Sequence, residues 1–209
     1  MTARSRRRRQ SARLYSSPPL AVVALLAVGL LTWQLEASAR LTLLWLVQIG
    51  ALLATSRDRP LELGYRPADV GRGVLVGAVP ALAILLLAGG LLRTVAGRFY
   101  PGSDAVAIFQ QAVLIAAPVE ELFFRGFVQE RWNIWAGVIG YALLGVVCVL
   151  PTAVEFPLVL LLVAGGWTGL GLLFAYVRRL YGLAAAVAAH ACAATLVLVL
   201  PLALADLRL

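Results

Sequence analysis

The chain has 209 residues, 62% hydrophobic and 13% charged, with a mean hydropathy of +0.91. That balance, with several apolar runs near twenty residues, excludes an ordinary soluble domain and points to one compact, polytopic helical membrane domain. The formal charge of +8 rests on arginine alone, and most of the arginines flank apolar runs with no basic aromatic surface between them, so nucleic acid is excluded as a partner.

The first 17 residues carry Arg4, Arg6, Arg7, Arg8, Arg9 and Arg13. Such a leader is too charged to fold alone, and the sequence predicts a disordered basic segment on an anionic cytoplasmic surface. Apolar segments follow at about 18–35, 41–55, 73–92, 105–129, 134–150, 157–176 and 182–204. They predict an all-α bundle of about seven transmembrane helices, the second of them short and tilted or only partly inserted. The first is expected to be retained rather than cleaved as a signal peptide, because its apolar stretch is long and more membrane segments follow. With the N-terminus inside, the inner side receives fourteen arginines and the outer side four, namely Arg40, Arg93, Arg98 and Arg208. This bias predicts a multi-pass plasma-membrane protein with a cytoplasmic N-terminus. Residues 18–98 then form the N-terminal helices and a cytoplasmic loop, and residues 99–204 a membrane core.

The turn around Gly102 offers Ser103 or Asp104 as the N-cap of the fourth segment. Within that segment stands Glu120-Glu121-Leu122-Phe123-Phe124-Arg125, two acids and a guanidinium in otherwise apolar surroundings. Ionisable groups at membrane depth cost roughly 2.5–3.5 kcal/mol each and mark function more often than not. Glu121 and Arg125 are i,i+4 neighbours in the favourable order for an ion pair, while Glu120 lies about 100° around the axis. One carboxylate is thus held and the other left available, as general acid/base chemistry requires. A buried charge cluster can also serve only to fix helix packing, but two adjacent acids with an arginine behind Pro118 favour a site. Pro118 is expected to kink the helix and admit water beside Glu120.

His190, the only histidine, lies in the alanine-rich stretch Ala184–Ala194, where small residues let a neighbouring helix approach closely. The imidazole is therefore expected to share a cavity with Glu120 while Glu121 hydrogen-bonds Arg125. One histidine cannot complete a conventional zinc set, so no metal and no cofactor are expected. Cys148 and Cys192 lie in apolar runs without a C-x-x-C spacing and read as small buried hydrophobes. Glu155, in the link between the fifth and sixth segments, reads as a solvated loop acid.

The motif Glu120-Glu121-x-x-x-Arg125-Gly126, followed about 70 residues later by His190, resembles the CPBP family of CAAX-processing and bacteriocin-processing membrane proteases. The stretch Leu170–Arg179 also resembles that family's approach to its last motif, and the similarity covers about 99–200. The resemblance implies an intramembrane endopeptidase that acts on a peptide or protein substrate within the lipid bilayer. Family members use three motifs, E-E-x-x-x-R, F-x-x-x-H and H-x-x-x-N, in which the first glutamate and first histidine activate water. The second histidine and the asparagine stabilise the oxyanion. Carried onto this sequence, Glu120 is the base, Glu121 and Arg125 its support, and His190 an oxyanion contact. The sequence departs from the pattern twice: Val147–Ala153 contains no histidine, and the asparagine position is Ala194. Two alternatives follow, a catalytically silent relative that binds a membrane peptide or partner, and a small transporter or proton relay using Glu120 and His190.

Overall fold

The computed structural model describes residues 17–56, 61–100 and 102–206, and within these all regular structure is helical. The basic leader falls almost wholly outside them, as do Arg57, Arg59 and Arg208. Seven helical rods follow in order: α1 Pro18–Leu31, α2 Ala37–Ser56, α3 Pro67–Phe99, α4 Ala105–Arg131, α5 Ile134–Ala153, α6 Pro157–Tyr181 and α7 Leu183–Leu204. Six are long and apolar enough to cross a membrane, and α1 is the shorter apolar helix. The chain is an all-α, multi-pass integral membrane protein.

The short member is thus α1, not the second segment. The Thr32 hydroxyl donates to the Val28 carbonyl at 2.7 Å, and the helix gives way to a turn at Thr32–Leu35. α2 gains length because Arg40, read from sequence as an outer flank, is buried within it. Its Nη2 donates to the Cys148 carbonyl of α5 at 2.7 Å, so the charge can sit inside the helix instead of ending it. α3 is also longer than its apolar run, with a non-helical residue at Ala88 just before Gly89-Gly90.

α7 lies at the centre, packed against α3, α6 and α4, while α5 packs on α6 and α1 on α2 and α5. The α3–α7 contact is backbone to backbone. A Cβ on Gly73 would overlap the Ala185 carbonyl, and one on Gly77 the Ala189 carbonyl. Gly73-x-x-x-Gly77 thus meets Ala185-x-x-x-Ala189, the small-residue geometry that replaces hydrophobic drive between helices in lipid. The outer faces stay apolar, with Leu86 and Leu87 more than 80% exposed. At one end of the bundle the segment before α3 docks on the α6–α7 turn. Ala184 N–H donates to Leu63 O at 3.0 Å, and Gly182, at φ 95°, lies too close to Gly64 for any side chain.

Candidate active site

α4 starts at Asp104, whose side chain accepts from Ala107 N–H at 2.7 Å. The helix does not run as a simple α-helix. It widens into π turns at Phe109–Ala116 and Leu122–Val128, with the single α turn Ala117–Glu121 between them. Pro118 has no N–H to give, and the chain answers by shifting register: Ala117 N–H reaches back five residues to Ala112 O. The expected proline effect therefore takes the form of a register change in a continuous helix. π turns of this kind recur at functional sites, because they re-aim side chains without breaking the rod. Both carboxylates stand on the α turn.

Glu121 and Arg125 are fully buried, with Glu121 Oε2 and Arg125 Nε 3.5 Å apart. That is an ion pair at contact distance rather than the expected hydrogen bond. The i→i+5 register of Leu122–Val128 supplies the reason: four residues fall short of a full π turn, so Arg125 lags behind Glu121. The guanidinium instead donates from Nη1 to Gly137 O at 3.0 Å and lies 5.1 Å from the Tyr141 ring centroid. Gly137 is needed there, since a Cβ would press on Phe124 O.

His190 comes to this cluster from α7, but its hydrogen-bond partner is Glu121 rather than Glu120. His190 Nδ1 lies 3.0 Å from Glu121 Oε1. The ring stacks on Phe174 at 4.8 Å and 15°, and meets Tyr141 edge-on at 5.9 Å. These contacts fix both the position and the plane of the imidazole. A carboxylate on Nδ1 sets that nitrogen as the donor and leaves Nε2 for other chemistry. Phe123, Phe124 and Phe127 are fully buried around the same turn and exclude water from the Glu121–Arg125 pair.

Glu120 is different. Among the described residues it has no ion-pair partner, whereas its neighbours Glu121 and Arg125 are committed to each other and Glu121 also to His190. Cys148, in the Val147–Ala153 stretch that has no histidine, is buried on α5. Ala194 is buried on α7, one turn beyond His190. Glu155 is exposed beyond α5. Among the described residues no three His, Cys, Asp or Glu side chains converge as metal ligands.

Residues 102–196 match the family model described as type II CAAX prenyl endopeptidase Rce1-like. The match covers 95 of the 209 residues, and this core of the chain is similar to that family. The matched segment starts at the turn before α4 and ends in α7, so it holds both acids, the arginine and the histidine. α1, α2 and α3 lie outside it. No curated protein and no solved structure matches the chain.

Proposed function

We propose that this Rce1-like protein is an intramembrane endopeptidase of the CAAX-processing type, with Glu120, Glu121, Arg125 and His190 as its working residues. The observation that carries the reading is the unequal treatment of two adjacent acids. Glu121 is committed to His190 and Arg125, whereas Glu120 is left without a counter-ion. Glu120 takes a proton from water as the water oxygen attacks the peptide carbonyl. The C–N bond then breaks, and the proton passes to the leaving amine. His190, held at Nδ1 by Glu121, offers Nε2–H to the oxyanion in its protonated form. Two carboxylates, one guanidinium and one imidazolium then sum to zero, which a low-dielectric site requires. The core at 99–204 does the chemistry. The arginine bias supports a plasma-membrane protein with its N-terminus in the cytoplasm.

A second reading, a silent relative that binds a membrane peptide or partner, is favoured by one specific feature. Neither Val147–Ala153 nor position 194 supplies the polar side chain the family pattern expects. The two readings separate on purified protein in vesicles presented with a prenylated peptide. The endopeptidase reading expects cleavage, reduced about 10²–10³-fold by His190→Ala as an oxyanion contact is lost. Peptide binding without any cleavage would decide for the silent relative.

A further inference from the structure

Tyr141 stands on α5 one turn after Gly137, whose carbonyl accepts from Arg125. Its ring meets four groups of the site. The Arg125 guanidinium carbon lies 5.1 Å from the ring centroid. His190 meets the ring at 5.9 Å and 85°, Phe124 at 5.5 Å and 77°, and Phe174 at 6.3 Å and 72°. Tyr141 is only 2% exposed. The ring is thus locked in place, and it cannot turn without displacing the imidazole or the guanidinium.

Packing accounts for the ring but not for the hydroxyl. A buried tyrosine O–H ordinarily finds a partner, and among the described residues no hydrogen bond uses this one. A phenylalanine would make the same ring contacts with no polar group to desolvate, as Phe123, Phe124, Phe127 and Phe174 do around it. The His190 side chain, against which Tyr141 packs, is 12% exposed, so this part of the cluster is open to the outside.

The chemistry has a use for such a donor. Water attack turns the peptide carbonyl oxygen into an oxyanion, for which His190 supplies one N–H. The family pattern takes a second donor from the residue four after that histidine, here Ala194, whose methyl group cannot donate. α5 has no histidine in Val147–Ala153, but earlier on the same helix it brings Tyr141 against His190.

We propose that the Tyr141 hydroxyl donates to the oxyanion beside His190, as the donor that Ala194 cannot be. The inference rests on the endopeptidase reading and adds a catalytic residue to it. A phenol keeps its proton at neutral pH, so no bond is made or broken at Tyr141. Its contribution is a dipole fixed in advance by the packing of its ring, which needs no reorganisation as the charge develops.

The test compares Tyr141→Phe with the wild type, both as full-length protein in vesicles. The substitution keeps the ring contacts and removes only the hydroxyl. A prenylated peptide reports cleavage, and the same peptide with its scissile amide replaced by a phosphinate reports affinity for a tetrahedral anion. In Tyr141→Phe kcat should fall about 10²–10³-fold, with phosphinate binding weakened by a comparable factor. KM, peptide binding measured in the Glu120→Gln background and the unfolding midpoint should stay as they were. A tyrosine with only a structural role would shift midpoint and peptide binding together with the rate, which overturns the proposal. Unchanged kcat in Tyr141→Phe also overturns it and leaves the endopeptidase reading intact. A wild type that prefers the phosphinate to the peptide, loses that preference in Tyr141→Phe and yet cleaves nothing sustains Tyr141 as the anion donor and removes the endopeptidase. No phosphinate preference in the wild type overturns the assignment whether or not the peptide is cut.

Discussion

Two N-terminal helices lean on the core in opposite ways. α3 meets α7 through Gly73 and Gly77, backbone against backbone, with no room for a methyl group. α2 meets α4 and α5 through long side chains, and several of these are polar and buried: Arg40, Gln48 and Thr55. The α3 seam is dry and specifies position. It holds Ala185 and Ala189 on the turns leading to His190, so the distance from imidazole to Glu121 depends on it. The α2 seam is polar where lipid-buried packing has no need of polarity, and Gln48 is fully buried with neither amide atom partnered. Nearby helices thus perform separable tasks, one geometric and one chemical.

Breaking the geometric seam should have the larger effect. Gly77→Ala puts a Cβ into the Ala189 carbonyl and must push α7 from α3. A displacement near 1 Å at the imidazole costs about 10²-fold in rate, and the overpacking itself about 1–3 kcal/mol. Peptide cleavage and thermal unfolding of the variant in detergent check both figures. Normal activity in Gly77→Ala would show that the close contact does not set the His190 position.

The chemical seam should respond with the opposite sign of stability. A buried unpartnered amide costs about 1–3 kcal/mol, so Gln48→Leu should raise the unfolding midpoint, by the equivalent of about 1 kcal/mol. A lowered midpoint would mean that Gln48 is satisfied and that the α2 seam is ordinary packing.

The sequence made the all-α bundle and the acid cluster legible for the same reason. In an apolar chain each helix is a long run, and each charge inside a run stands out. The alanine stretch around His190 also announced a close helix contact, although Gly73-x-x-x-Gly77 on the other side passed as ordinary apolar sequence. What was not legible depended on register and burial. The π turns on either side of Ala117–Glu121 follow from an i→i+5 shift that residue preferences do not encode. That shift weakens the expected Glu121–Arg125 hydrogen bond to a 3.5 Å contact. Arg40 sits beside a polar turn, where an arginine reads as a membrane flank. Its burial appears only when the Cys148 carbonyl is brought to it from 108 positions away.

One paired measurement tests the division of labour between Glu120 and Glu121. Glu120→Gln and Glu121→Gln are compared side by side for cleavage of a prenylated peptide and for thermal stability. Glu120→Gln should abolish cleavage while leaving the unfolding midpoint near that of the wild type, because the amide keeps the shape but cannot take the proton from water. Glu121→Gln should lose stability as well as activity, by about 3–5 kcal/mol, since Arg125 is left buried without its counter-charge. Full cleavage by Glu120→Gln, or the same stability loss in both variants, would contradict the assignment of Glu120 as the base and Glu121 as its support.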